Sequence, residues 1–208
     1  MRASHLSQCN QTVTDANNRD GKQFDIARDG ETGLLSVVGN VDPTKLSSSE
    51  KALYDSINNT DATGTLTVVP SDSHADFEKA TGKGHNTLDR SDLNALGAAD
   101  KRLPAEVIAH AAVESYNSDK KGVSVEDAHL IASKSFGFNP GYFTPNWGGT
   151  VKTLSISWHS KRLGINFRVH TDVVTPIPRA TWNQMVGDHS PPPARNVTNV
   201  EILSGKQQ

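Results

Sequence analysis

Sixteen residues, LPAEVIAHAAVESYNS at positions 103–118, constrain this chain more than any other stretch. Pro104 suits the first helical position, where its missing N–H costs nothing, and Glu106 falls in the first turn, where the helix dipole favours an anion. At about 100° per residue, Glu106, His110, Glu114 and Asn117 fall within one arc of roughly 80°. The remainder is mostly apolar. A helix this apolar is predicted to be buried. Burying a histidine and two carboxylates is costly unless they pair with one another or hold a metal ion.

A second helix is predicted in VSVEDAHLIASKS, from Val123. Ser124 is a good N-cap, with Asp127 three residues on in place of the usual Glu or Gln of a capping box, and Gly137 is a natural stop. His129 shares a face with Val125, Ala128, Ala132 and Phe136, so it points towards whatever that helix packs on. The connection at 117–122 is short and polar, which predicts an antiparallel helical hairpin. His110, Glu114 and His129 would then converge. A His and a carboxylate at i and i+4, with a third ligand from the next helix, make a three-point zinc site with a fourth position open. The plainer alternative is two ordinary histidines and a glutamate that is solvated or caps a neighbour.

Composition narrows the rest. The chain has 208 residues, a formal charge of −2 and only 35% hydrophobic residues, so one modest core with long loops is expected. Balanced charge, with no basic stripe interleaved with aromatics, argues against nucleic acid as a partner. Cys9 is the one cysteine, which excludes internal disulfides and cysteine-based zinc knuckles. The N-terminal residues lack an apolar segment, so no Sec signal is expected, and no stretch is apolar enough for a membrane span. Synthesis in a cytoplasm is the expectation, with any export left to a specialised secretion system.

In chain order, residues 1–22 read as a flexible tail. KQFDIARDGETGLLSVVGNV reads as two strands around a turn at Asp29, Gly30 and Gly33, followed by a helix starting at Ser48 or Ser49. GTLTVVPSD, from Gly64, is a strand stopped by Pro70, and HADFEKAT a short helix. The segment from Gly82 to Arg102 reads as polar, with a small helix near Asp92 to Leu96. Counted from Asp89 as a calcium loop, its sixth residue is Asn94 rather than Gly and its twelfth Asp100 rather than Glu, which rejects that reading. FGFNPGYFTPNWGGT is predicted to be a loop, and TVKTLSISWH with GINFRVHTDVV a hairpin burying Ile156, Trp158, Ile165, Phe167 and Val169. ATWNQMVGDHSPPPARN reads as irregular and NVTNVEILS as an edge strand. The predicted class is α+β: a central helical hairpin, a mixed or antiparallel sheet, and a β-rich C-terminal section. The expected division is tail 1–22, core 23–149 and C-terminal section 150–208, the last either separate or part of the same domain.

The motif His110-x-x-x-Glu114 followed by Tyr116, with Ala128-His129 on the next helix, resembles the zinc-metallopeptidase-like modules of bacterial polymorphic toxins and injection-system effectors. Those modules are similar to HExxH enzymes, some carrying Glu at the place of the second His. His129, nineteen residues after His110, suits the third ligand. GTLTVVPSD and LDRSDLNALG look like the lead-in to such a module, so the resemblance spans residues 64–137, about a third of the chain. It implies zinc held by His110, Glu114 and His129, and hydrolase chemistry on a protein or peptide. It also implies a secreted effector or toxin, partnered by secretion machinery or a cognate inhibitor.

One departure decides what to expect of activity. In the family's motif the residue after the first His is the Glu that activates the metal-bound water, and here it is Ala111. A zinc-binding pseudoenzyme, weak or inactive as a peptidase, is the resulting expectation. Glu106, one turn before His110, is the candidate substitute base, and Tyr116 the candidate to stabilise an oxyanion. A first-turn acid and a core aromatic are their plainer roles. His85, in a polar segment, is a candidate fourth ligand or an exposed loop residue, while His159, His170 and His189 have no ligand spacing. The alternative function is a non-enzymatic interaction or structural protein, an accessory or cargo of a secretion or phage-like assembly. It would bind through the C-terminal half and the aromatics Tyr142, Phe143 and Trp147. A hydrolase using Asp89, Asp92 and Glu106 has no spacing argument behind it.

Overall fold

The computed structural model describes residues 2–71, 77–136, 138–145, 149–188 and 194–204. In chain order the elements are α1 (Arg2–Ala16), β1 (Asp25–Arg28), β2 (Leu35–Val38), α2 (Ser48–Asn58), β3 (Thr65–Val69), β4 (Glu78–Gly82) and β5 (His85–Asp89). They continue with α3 (Arg90–Ala99), α4 (Leu103–Asp119), α5 (Val125–Phe136), β6 (Phe138–Pro145), β7 (Thr150–Ser160), β8 (Ile165–Pro178), α6 (Arg179–Gly187) and β9 (Arg195–Ser204). The strands form a β1-β2 hairpin, a mixed sheet in the order β3-β5-β4, and an antiparallel sheet in the order β6-β7-β8-β9. The class is therefore α+β with a strand-rich C-terminal section. No helix among the described residues is long and apolar enough to cross a membrane.

Helix α4 is the axis of the molecule. Every residue in it except Ala112 and Asp119 is buried. It packs on α1, α2, α3, α5 and the mixed sheet, so it has no solvent face, which is why its apolar residues run all the way round. Ser115 ties it to the sheet: its hydroxyl accepts from the Thr65 amide at 3.0 Å and donates to the Gly84 carbonyl at 2.7 Å. Helix α5 begins as expected. The Ser124 hydroxyl accepts from the Asp127 amide at 3.0 Å, and it lies 2.7 Å from that residue's carboxylate. Between α4 and α5 the polar connection turns the chain back, giving the predicted hairpin.

Several expectations need correction. The first residues are not a loose tail. Arg2–Ala16 is helical, and Cys9, Val13 and Ala16, spaced i, i+4 and i+7, pack on the main core. Beyond it, Arg19 is buried against Glu50 at 3.0 Å. Glu78–Thr81, expected at the end of a short helix, belongs to strand β4 (Glu78–Gly82), antiparallel to β5; residues 74–76 of that prediction lie outside the described residues. The short sequence EKATG has little intrinsic preference, and pairing with β5 decides its state. β5 falls in the segment read only as polar, where no strand was expected. Asn86 and Leu88 point inward from it, and Asp89 caps α3, which starts earlier than predicted.

The aromatic segment expected as a loop contributes strand β6, paired to β7. Tyr142 and Phe143 lie in that strand, and Trp147 lies outside the described residues. The stretch after Pro178 is helix α6 rather than irregular, because Trp182 packs under it with Val151, Leu154 and Val173. The predicted β7-β8 hairpin and edge strand β9 are present. Ile165, Phe167 and Val169 belong to the same core cluster as Leu53, Leu88, Leu93 and Val107, so the C-terminal sheet shares one core with the helices.

Candidate metal centre

His110 lies at the buried middle of α4, Glu114 one turn further along, and His129 in the first half of α5. Antiparallel packing of the two helices brings a donor atom from each within 4.8 Å of the others. The Glu114 Oε2 atom is 3.1 Å from His129 Nδ1 and 3.6 Å from His110 Nδ1. The two imidazoles meet edge to face, with centroids 5.1 Å apart. On the far side of both rings, Ser133 Oγ lies 3.3 Å from His110 Nε2 and 3.4 Å from His129 Nε2. A carboxylate only accepts, so the Glu114 contact places a proton on His129 Nδ1. An ion held at the Nδ1 atoms would displace that proton, and Ser133 would then accept from Nε2–H as the outer partner of a metal-binding histidine.

A fourth group completes the cluster, and nothing in residue spacing pointed to it. Glu78, the first residue of β4, places Oε1 2.6 Å from His110 Nδ1. Phe77, which precedes it, holds a φ of 62°. A left-handed backbone costs an L-residue roughly 1–2 kcal/mol, and here it lies where the chain turns Glu78 towards α4. Despite the short approach, His110 Nδ1 and Glu78 Oε2 are buried without an aligned hydrogen bond. The 2.6 Å contact is thus a charge contact lying off the hydrogen-bond direction.

Electrostatics follow from this arrangement. Burial works against a charged His110 ring, but the charge and contact of Glu78, with the charge of Glu114, outweigh it and hold the pKa above its ordinary value. Among the described residues no Lys or Arg pairs with Glu78 or Glu114. With neutral imidazoles the cluster carries two negative charges, and only protons or a cation can offset them. The donor set of two imidazoles and two carboxylates fits a divalent transition metal. Zinc with ligand bonds of about 2.0–2.1 Å needs tetrahedral donors about 3.3 Å apart. The 3.1 and 3.6 Å separations bracket that value, whereas Glu78 Oε1, 2.6 Å from His110 Nδ1, would have to draw back to serve as a fourth donor. His129, with its side chain 48% exposed, leaves the cluster open to solvent on one side.

The other candidates are elsewhere. Glu106 is fully buried and gripped by Arg162, whose Nε lies 2.9 and 3.0 Å from its two oxygens. Burial pushes its carboxyl above the usual range, with Asp20 and Glu50 adding, although Arg162 opposes them. Tyr116, two residues and about 200° round the helix from Glu114, donates its hydroxyl to Asp61. Neither joins the three-ligand group. Ala111 is fully buried in the main core. Asp89 caps α3 through the Ser91 and Asp92 amides, so the Asp89, Asp92 and Glu106 set does not form one site. His85 is exposed at the start of β5. His159 and His170 bond Asn166 and Ser155 across the C-terminal sheet. His189 lies outside the described residues. Comparison with known protein families, characterised proteins and solved structures gives no match for this chain.

Proposed function

We propose that this protein is a zinc-binding module built on a metallopeptidase-like helix, and that its metal site binds rather than hydrolyses. The carrying observation is the convergence of His110, Glu114 and His129 within 4.8 Å, on two helices and beside a second carboxylate, that of Glu78. His110 Nδ1, His129 Nδ1, Glu114 Oε2 and Glu78 would hold the ion. Zinc bound there supplies Lewis acidity and a fixed double positive charge. The chain's own residues set both carboxylates against the two imidazoles, back their Nε2 atoms with Ser133, and close the inner side with the α4 core. The resemblance to toxin and effector modules supports an effector or toxin role, acting on a protein or peptide partner after export.

Weak or absent peptidase activity follows from three placements. Ala111 offers no proton acceptor and sits in the core, so Ala111→Glu would bury a carboxylate among apolar side chains rather than restore a base. Glu106 is committed to Arg162. Glu78 abuts the ligand nitrogen itself, the position of a fourth donor. The direct test is metal content of purified protein by mass spectrometry after reconstitution. About one zinc per chain is expected in wild type and little in His110→Ala or His129→Ala. Wild-type protein without zinc, folded and reconstituted, would leave an ion-paired histidine cluster in place of a metal site.

A further inference from the structure

A second feature lies across α4 from the metal centre. A cavity of about 490 Å³ opens between α1, the β1-β2 hairpin, α2, β3 and α4. Its size falls within the range of small-molecule sites, roughly 300–1,000 Å³. The walls are mostly apolar, with Val13, Ile57 and Leu66 among them. The space exists because α4 presents Ala109 and Ala112 there, where larger side chains would fill it.

One cation belongs to this lining. Arg28 lies half-buried at the end of β1, and its guanidinium makes no hydrogen bond or ion pair among the described residues. Its guanidinium lies over the hairpin turn, where a Cβ on Gly33 would come 3.2 Å from Nη2. The neighbouring Asp29 is within its electrostatic reach but forms no ion pair with it; its Oδ1 accepts from the Glu31 amide at 3.0 Å, the Thr32 amide at 2.6 Å and the Thr32 hydroxyl at 2.7 Å. A guanidinium left with spare donors beside an apolar cavity matches a ligand with an apolar body and one carboxylate head, the group its planar fork binds best.

We propose that this cavity binds a medium-chain alkyl carboxylate, its tail against Ala109, Ala112 and Ile57 and its head on Arg28. The site stands apart from the metal reading, since it shares no side chain with the metal cluster. The single cysteine offers a probe, because Cys9 also lines the cavity. An occupied cavity shields its thiol.

The test uses the full-length protein with decanoate, decanol and decyltrimethylammonium. It reads affinity by calorimetry and the rate of Cys9 modification by a soluble disulfide reagent. Decanoate is expected to bind, to slow Cys9 modification, and to tighten about fourfold for each methylene added from octanoate. It should exceed both decanol and the cationic analogue by about tenfold or more, with that advantage over decanol lost in Arg28→Gln. Ala112→Phe should abolish binding of all three; should that variant fail to fold, the Arg28→Gln comparison decides alone. Equal affinity for decanoate and decanol in wild type, or unslowed Cys9 modification at saturating decanoate, overturns the proposal.

Discussion

At His110 two forces compete, and their balance predicts an observable sign. Burial disfavours the charged imidazolium, yet Glu78 and Glu114 raise its pKa above the ordinary value of about 6.5. A group whose folded pKa is raised contributes stability that is fully present below the unfolded pKa. That contribution is lost as pH rises through the folded value. In metal-free protein, kept so with a chelator, wild type should therefore exceed His110→Gln in urea stability by more at about pH 6 than at about pH 8.5. Glu78→Gln removes the foremost raising influence and should shrink that pH dependence. At the proposed zinc site affinity should run the other way, weakening as pH falls, because an ion bound there displaces the same proton. An identical gap at both pH values would mean that folding leaves the affinity of the ring for its proton unchanged. Of this cluster, His110 and Glu114 were legible because i,i+4 spacing on a helix is a short-range rule. His129 was legible because its inward face and the brief connection imply a hairpin. Glu78 was not, since its arrival depends on a strand whose pairing lies in tertiary structure, and Ser133 gave no signal beyond being one turn from His129.

At the scale of elements, two junctions control how α4 is seated. β3 approaches it so closely that a Cβ on Gly64 would lie 2.8 Å from the Tyr116 backbone nitrogen and 3.1 Å from its Cα. Backbone cannot yield as a flexible side chain does. Gly64→Ala should cost about 1–3 kcal/mol by urea unfolding. Gly82→Ala, with nothing within 4 Å of the added carbon, should change stability by less than about 1 kcal/mol. Equal effects would show that β3 can slide. The other junction is the buried pair of Arg19 and Glu50, both side chains fully shielded, which ties the end of the N-terminal segment to α2. Glu50 also accepts from the Gln23 amide at 3.1 Å. Glu50→Ala leaves Arg19 charged and enclosed, so a loss of about 3–5 kcal/mol is expected. The double variant Arg19→Met, Glu50→Leu should lose less than Glu50→Ala alone, because it removes both charges together. A mild effect of the single variant would mean that the N-terminal segment detaches readily, as the polar reading of residues 1–22 implied. That reading failed because α1 is stabilised by three spaced small or apolar residues and a distant ion pair, neither of which raises local hydrophobicity.

Over the whole molecule, the two halves are held by shared burial rather than by a linker. Phe77, next to the candidate metal centre, meets Trp158 of β7 with centroids 5.6 Å apart, and Trp158 stacks on Phe167 of β8 at 6.4 Å. Arg162, in the β7-β8 turn, reaches back to Glu106 of α4 and approaches Glu50 of α2 at 3.6 Å. The β7-β8 hairpin was legible from alternation, which reports one buried face, but alternation does not say what that face is buried against. Here it is the helical core, so residues 150–208 alone would expose Ile165, Phe167 and Val169 and leave β7 without its β6 partner. The full chain should unfold in a single urea transition, with tryptophan fluorescence and far-ultraviolet circular dichroism coinciding. The isolated 150–208 segment should lack a cooperative transition, which makes it unsuitable for capturing a binding partner. Phe167→Ala should lower the midpoint of the whole transition by the equivalent of about 3–5 kcal/mol, and should weaken zinc retention in the same titration because Phe77 and Glu78 rest on that layer. A separate transition in the fragment, or a Phe167→Ala loss confined to one probe, would show that the C-terminal sheet is an independent unit and that the metal centre is organised without it.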